Sequence, residues 1–192
     1  MQDRISHLIK DSIDVKLKTL QDPELLQTVE KVVHEVVKAL QADKKILFCG
    51  NGGSAADAQH IAAELSGRFY HDRDPLFAEA LHVNTSYLTA VANDYGYDHV
   101  YSRLVKAKGR PGDVLFGIST SGNSTNITEA LRVAREQGMV TVSMTGLTGG
   151  KMRGLSDLLL NVPSTDTPRI QEVHILLGHI ICELVERELF PQ

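Results

Sequence analysis

Short apolar runs alternate with helical segments along most of this 192-residue chain. The runs are rich in strand-forming residues and lie at 45–49, 77–83, 113–118, 140–145 and 158–162. Apolar residues at helical spacing predict helices at 55–66, 86–93, 98–106, 126–137 and 169–189. Buried strands that alternate with helices form a parallel sheet with helices on both faces. The pattern therefore predicts an α/β fold that binds ligands beyond the carboxyl ends of its strands.

Two amphipathic helices are predicted before the first strand, at 3–20 and 24–42. The length of the chain suits one domain with a full core, and no repeat or linker divides it. We expect a single domain over 1–192, with an N-terminal helical segment at 1–42 and an α/β core at 43–192.

Composition narrows the possible partners. The formal net charge is -4, and acidic and basic residues are mixed along the chain, so neither a nucleic-acid partner nor a membrane partner is expected. Cys49 and Cys182 are isolated thiols in apolar surroundings, which is typical of reduced core residues in the cytoplasm. With no signal peptide or membrane-spanning run, the chain is predicted to be a cytoplasmic protein that binds a small molecule.

Hydroxyl side chains crowd the turn between the third run and the helix at 126–137. They belong to Ser119, Thr120, Ser121, Ser124 and Thr125. The N–H groups that open a helix have no internal partners, and hydroxyl groups add neutral donors to phosphoryl oxygens. Ordinary helix capping is the alternative, but one hydroxyl suffices for a cap. The turn is therefore predicted to bind a phosphate.

A glycine-rich loop, Gly50-Asn51-Gly52-Gly53-Ser54, follows the first run. It lacks the lysine of a P-loop and the spacing of a dinucleotide fingerprint, which disfavours nucleotide binding. A tight turn and a ligand loop remain equally compatible with these residues alone. The pair Asn93 and Asp94 is similarly open, as a helix stop or a polar ligand contact.

His60 and Glu64 lie four residues apart in a predicted helix, so their side chains share one face. Such a pair can bind a metal or share a proton, or it can be a surface ion pair. The flanking alanine, isoleucine and leucine residues predict a largely buried helix, where a charged carboxylate needs a partner. This favours a functional pair.

Gln171 and His179 are polar residues of the last predicted helix. Eight residues separate them, roughly 80° around the helix and roughly 12 Å along it. If both serve one site, the spacing suggests that a neighbouring subunit supplies one of them. His174 is interpreted as a core or interface histidine.

Together these residues resemble the sugar isomerase (SIS) domain family, and within it the phosphoheptose isomerases, over nearly the whole chain. The resemblance rests on the following motifs: 49–54, His60 with Glu64, Gly67-Arg68, 93–96, 112–115, 118–124, 149–152, and 169–172 with His174 and His179. One departure is Pro168, where several members carry an acidic residue.

The resemblance implies a ketose–aldose isomerase that acts on sedoheptulose 7-phosphate through an enediol, for heptose and lipopolysaccharide synthesis. It implies phosphate binding by Ser119, Thr120, Ser121 and Ser124. The rest of the substrate would contact Asn51, Gly52, Gly53, Glu64, Asn93, Asp94 and Gln171. It also implies a zinc ion bound by His60, Glu64, Gln171 and His179, in a site shared between subunits of a homotetramer. Glu64 is assigned as the base and His179 as the acid, although a metal ligand cannot act freely as a base without leaving the ion or sharing it.

Two other functions are compatible with the same fold. One is a non-catalytic SIS-domain adaptor that binds the bacterial replication initiator, a protein that has no use for a carboxylate beside His60. The other is a sugar-phosphate-sensing regulatory domain, but residues 1–42 contain no basic recognition helix. Glu64 therefore favours the enzyme.

Overall fold

The computed structural model describes residues 1–191 and contains five strands. They are Ile46–Gly50 (β1), Ala78–Ala80 (β2), Val114–Ile118 (β3), Val140–Thr145 (β4) and Leu158–Asn161 (β5). The helices are Gln2–Leu20 (α1), Pro23–Gln41 (α2), Gly53–Ser66 (α3), Thr85–Tyr95 (α4), Val100–Lys108 (α5), Thr125–Glu136 (α6) and Thr167–Leu189 (α7). Short 3-10 helices span Tyr97–His99 and Gly150–Leu155.

All five strands are parallel and lie in the order β2-β1-β3-β4-β5. Successive side chains of a strand point to opposite faces of a sheet. Ile46 and Phe48 accordingly pack with α2, α3 and α7, whereas Leu47 and Cys49 pack with α4, α5 and α6. Both faces are covered by helices, which confirms the predicted α/β class.

Two predicted elements differ in extent. The run at 77–83 forms only the three-residue strand β2, because the chain leaves the sheet edge after the Leu81 N–H donates to the Phe48 carbonyl. Phe77 and Val83 at the ends of the run are exposed. Helix α7 begins two residues earlier than predicted, with Pro168 in its first turn, where the missing N–H costs nothing.

The structure also describes the surroundings of the two cysteines and the polarity of the helices. Cys49 and Cys182 are both buried and free. Within residues 1–191, every helix is too short or too polar to cross a bilayer.

The topology brings the two loops singled out from the sequence side by side. From β1 the chain crosses through α3 to β2, and from β3 it crosses through α6 to β4, on the other side of β1. The strand order therefore reverses between β1 and β3, and ligands of such sheets bind in the crevice at this point. Gly50 and Ile118, the last residues of the two strands, are register partners.

Candidate active site

Hydroxyl groups of the turn after β3 contact one another rather than capping helix α6. Ser119 is 5% exposed, and its Oγ lies 2.9 Å from the Oγ of Ser124 and 3.5 Å from that of Ser121. Helix α6 has Ser124 at its N-cap but no side-chain capping hydrogen bond. The structure therefore lacks the side-chain cap that the alternative required. Hydroxyl groups at the positive end of a helix are a suitable environment for an anionic group.

Neighbouring loops hold the backbone of this turn in place. The N–H of Gly146 donates to the Thr120 carbonyl at 2.9 Å, and the N–H of Met152 donates to the Gly122 carbonyl at 3.0 Å. The Lys151 N–H donates to the Asn123 Oδ1 at 3.1 Å. A cleft of about 180 Å³ lies beside the turn, between it and the start of α7. The turn is thus preorganised rather than dependent on a ligand for its shape.

A pair of amides joins the glycine loop to the hydroxyl turn. Asn51 and Asn126 each donate a side-chain N–H to the other's Oδ1, both at 2.9 Å, although 75 residues separate them. The Tyr97 hydroxyl donates to the Asn51 Oδ1 at 3.2 Å, and the Tyr101 hydroxyl donates to the Gly50 carbonyl. The glycine loop is therefore fixed by side chains, as a ligand loop requires, rather than being a free turn.

Asn126, Tyr97 and Tyr101 are site residues that sequence reasoning missed. The sequence signal for Asn126 is its position at the start of a predicted helix, directly after the hydroxyl run. Its burial, with 3% of the residue exposed, is visible only in the structure and requires hydrogen-bond partners. The two tyrosines carry no such signal, because their role depends on how α4 and α5 fold back on β1.

Asn93 and Asp94 lie exposed in the last turn of α4. The side-chain amide of Asn93 donates to the Asp94 Oδ1 at 2.9 Å. Two residues after this helix ends, Tyr97 contacts the glycine loop through Asn51. The pair therefore lies on the segment that adjoins the crevice.

A cluster of three titratable side chains lies between α3 and α7. The Nε2 of His60 lies 3.0 Å from the Nε2 of His179 and 3.3 Å from the Oε1 of Glu64. One ligand atom from each of the three residues lies within 4.8 Å of the others. The centroid of the Phe69 ring is 5.8 Å from that of the His179 ring.

Close contact between the two helices produces this cluster. Both helices begin at the carboxyl edge of the sheet and pack side by side. A Cβ on Gly178 would lie 2.5 Å from the Cδ1 of Ile61, so the absence of a side chain at this position permits the close approach. His60 directly precedes Ile61 and His179 directly follows Gly178, so the close contact brings their two rings together.

The prediction that α3 is largely buried is wrong on one side. The side chain of His60 is 51% exposed and that of Glu64 is 23% exposed, and Ala56 and Ala63 are also exposed. A helix that covers one face of a sheet buries only the side toward the sheet, here through Ala58, Ile61, Ala62 and Leu65. The cluster is thus open to solvent in the single chain.

Asp57, one turn before His60, is a further titratable group that sequence reasoning missed. Burial raises its pKa to about 6, although His60 acts in the opposite direction. Its Oδ2 is buried and accepts no hydrogen bond within the described chain. The residue lies next to the cluster but not in it.

Of the four predicted metal ligands, Gln171 lies outside the cluster. A Cβ on Gly53 would lie 2.5 Å from the Gln171 Nε2, so the amide packs on the first residue of α3. Gly53 and His60 are seven residues apart, roughly 10 Å along the helix. The two α7 residues, Gln171 and His179, therefore face different parts of α3, as their spacing predicted.

His174 is a core residue, as expected. It is fully buried, and its Nε2 lies 3.1 Å from the Thr145 carbonyl oxygen. Burial lowers its pKa to about 4, partly offset by this hydrogen bond, so the ring is neutral at pH 7.

Comparisons with known proteins agree with the geometry. The SIS domain matches residues 11–146. A phosphoheptose isomerase of Aneurinibacillus thermoaerophilus is 54% identical over 190 residues, which are 99% of this chain and 96% of that protein. The chain belongs to the phosphoheptose isomerase family of SIS domains.

Solved structures of this family share the fold closely. A phosphoheptose isomerase from Neisseria gonorrhoeae superposes with a TM-score of 0.91 at 47% identity, over 96% of this chain and 98% of that one. One from Francisella tularensis gives a TM-score of 0.92 at 34% identity, over 97% and 98%. These likenesses favour the isomerase over the adaptor.

The three clustered residues could hold a divalent metal ion. Catalytic zinc sites use three protein ligands, and tetrahedral zinc separates its nitrogen and oxygen ligands by about 3.3 Å. The separations of 3.0 and 3.3 Å around the His60 Nε2 are close to this value. Two imidazole nitrogens and a carboxylate that converge in this way are compatible with a divalent metal ion.

Proposed function

We propose that this protein interconverts sedoheptulose 7-phosphate and D-glycero-D-manno-heptose 7-phosphate, for heptose and lipopolysaccharide precursor synthesis. The observation that carries the proposal is the His60–Glu64–His179 cluster, which combines a carboxylate and two imidazoles. The relatives named phosphoheptose isomerase support the same reaction.

The substrate would bind along the crevice, with its phosphate on the hydroxyl turn. Ser119, Thr120, Ser121 and Ser124 would donate to the phosphoryl oxygens, together with the first N–H groups of α6. The sugar hydroxyls would contact the following residues: Asn51, Gly52, Gly53, Asn93, Asp94, Glu64 and Gln171. The uncapped start of α6 and the buried amide pair at Asn51 support this assignment.

Glu64 and His179 would carry the proton transfers, each through an atom that leaves the metal or is shared with it during the step. The Glu64 carboxylate removes a proton from C1 of the ketose while His179 donates a proton to O2, which produces a 1,2-enediol. Return of a proton to C2, with loss of the O1 proton, gives the aldose. Positioned acid–base groups of this kind contribute typically about 10²–10⁴-fold to a rate.

His60, Glu64 and His179 would hold a zinc ion, with Gln171 as the fourth ligand. A bound zinc ion polarises carbonyl and hydroxyl oxygens of a substrate. Because Gln171 packs on Gly53 of its own chain, we assign the fourth ligand to a neighbouring subunit of a homotetramer. The buried, free thiols of Cys49 and Cys182 support a cytoplasmic location.

Purified protein incubated with a panel of ketose phosphates, with aldose formation followed over time, tests the proposal. Turnover of sedoheptulose 7-phosphate well above that of pentulose and hexulose phosphates is the expected result. If no ketose phosphate in the panel is converted by zinc-loaded protein, the assigned activity is wrong.

A further inference from the structure

A buried ion pair anchors the loop that follows α3 to the end of α7. The Nε of Arg73 lies 2.9 Å from the Oε1 of Glu186, and the two side chains are 2% and 1% exposed. Buried charges are costly to desolvate unless hydrogen bonds satisfy their remaining atoms. The other hydrogen bonds of Arg73 and Glu186 therefore show which parts of the chain the pair holds in place.

Arg73 caps the C-terminus of α3, the helix that carries Glu64. Its Nη2 donates to the Glu64 carbonyl at 3.0 Å, and its Nη1 donates to the Leu65 carbonyl at 2.9 Å and the Gly67 carbonyl at 3.2 Å. Carbonyls in the last turn of a helix have no partners within it, and positive charge is favourable there. The guanidinium thus fixes the turn from which the Glu64 side chain projects.

Glu186 fixes the loop itself. Its carboxylate accepts the consecutive N–H groups of Phe69 at 3.2 Å, Tyr70 at 2.8 Å and His71 at 2.9 Å. Burial alone would raise the pKa of Glu186, but these bonds and the one from Arg73 outweigh it and lower the pKa. The carboxylate therefore stays ionised at neutral pH and keeps all its partners.

The pair is connected to the candidate site through α7 and through the loop that carries Phe69, but it does not contact the clustered side chains. Glu186 is seven residues after His179, two turns along α7 and on nearly the same face. Phe69, whose N–H it holds, packs its ring 5.8 Å from the His179 ring. Glu64, His179 and Phe69 are thus all connected to one buried contact, which is closed to any ligand.

We propose that Arg73 and Glu186 form a positioning pair, which sets the Glu64 carboxylate and the Phe69 ring against His179 in the geometry needed for catalysis and metal binding. This inference rests on the proposed function of the cluster. A salt bridge that served stability alone would leave the properties of the cluster unchanged when weakened.

Arg73→Lys and Glu186→Gln test the proposal. Lysine keeps the charge but not the fork of donors to several carbonyls, and glutamine keeps an acceptor but not the charge. The control is Glu183→Gln, which weakens the exposed Arg187–Glu183 pair on the same helix. The measurements are kcat and KM for sedoheptulose 7-phosphate, and the Zn²⁺ affinity of metal-free protein by competition with a chelating dye.

Both variants are expected to lower kcat at least tenfold and to weaken Zn²⁺ binding at least tenfold, with KM within about threefold. KM should change little because the hydroxyl turn is at the other end of α3. Glu183→Gln should match the wild type in all three.

Unchanged kcat and unchanged Zn²⁺ affinity, with only a lower melting temperature, would overturn the proposal. Failure of both variants to fold would also overturn it, since the pair would then serve stability alone. Absence of turnover in the wild-type protein would refute the proposed function instead, and the Zn²⁺ measurement would still decide the role of the pair.

Discussion

The Nε2 atoms of His60 and His179 lie 3.0 Å apart, although 119 residues separate them in the chain. At this distance at most one of the two nitrogens can carry a hydrogen directed at the other, so the other must present its lone pair. A lone pair beside a second imidazole and a carboxylate is what a metal or a transferable proton requires. The pair therefore links the packing of α3 and α7 to the chemistry of the site.

Glu64→Gln should abolish most of the activity while leaving the fold intact. Glutamine has the same shape but cannot accept a proton, so kcat is expected to fall by about 10²–10⁴-fold. Steady-state kinetics with sedoheptulose 7-phosphate measures the loss, and size-exclusion chromatography checks the assembly. Glu136→Gln, an exposed control on α6, should behave as the wild type. Undiminished turnover by Glu64→Gln would remove this carboxylate from the mechanism.

Metal removal should lower the activity, and zinc should restore it. Treatment with a chelator is expected to reduce kcat at least tenfold, since the polarising ion is lost, and added Zn²⁺ should recover the original rate. His60→Ala should need more Zn²⁺ for half-maximal activity, because one of three clustered ligands is missing. Full turnover by protein that elemental analysis shows to be metal-free would assign the cluster to acid–base work alone.

Gly178→Ala should separate α3 from α7. Alanine gains about 1 kcal/mol of helix propensity, but overpacking against Ile61 costs typically 1–3 kcal/mol, so a net loss of stability is expected. The same displacement should lower kcat, because it moves His179 away from His60. Urea unfolding and steady-state kinetics measure the two effects.

The double variant Gly178→Ala with Ile61→Ala provides the control for that change. Removing the Ile61 side chain relieves the clash, so kcat should recover part of its loss even though a core side chain is missing. A single Gly178→Ala variant that is more stable than the wild type and equally active would show that the close approach is unimportant.

The sheet and the two loops at its carboxyl edge were predictable because buried parallel strands appear in the sequence as continuous apolar runs. Ile46 to Cys49 and Val114 to Ile118 illustrate this, since each run is buried throughout. The amide pair of Asn51 and Asn126 was not predictable, because it depends on two loops 75 residues apart.

Two other features of the site show the same limit of sequence reasoning. The composition of α3 indicated burial, but only the packed helix shows which side is open and that His60 lies on it. The contact between Arg73 and Glu186 joins a loop to a distant helix, and no local pattern signals it. Pairings between elements distant in sequence therefore remained outside the prediction.

His174 should make stability fall in mild acid. Its pKa is about 4 in the folded protein and about 6.5 when unfolded, so the unfolded chain takes up the proton first. Stability that is complete above pH 6.5 is therefore lost as the pH falls toward 4, by about 2 kcal/mol at pH 5. His174→Gln, which keeps an N–H donor for Thr145, should show a shallower decline between pH 7 and pH 5. Urea midpoints at fixed chain concentration measure this, and identical slopes would contradict the assignment.

Mixing two inactive variants should restore activity if Gln171 acts in a neighbouring subunit's site. Gln171→Ala and Glu64→Gln are each expected to lose activity alone. In a mixed assembly, some sites combine Glu64 of one chain with Gln171 of the other, and up to about a quarter of wild-type activity is expected from random pairing. The two variants are denatured together, refolded with Zn²⁺ and assayed, with each variant refolded alone as the control. If the mixture is no more active than the separate variants, Gln171 does not act across a subunit boundary.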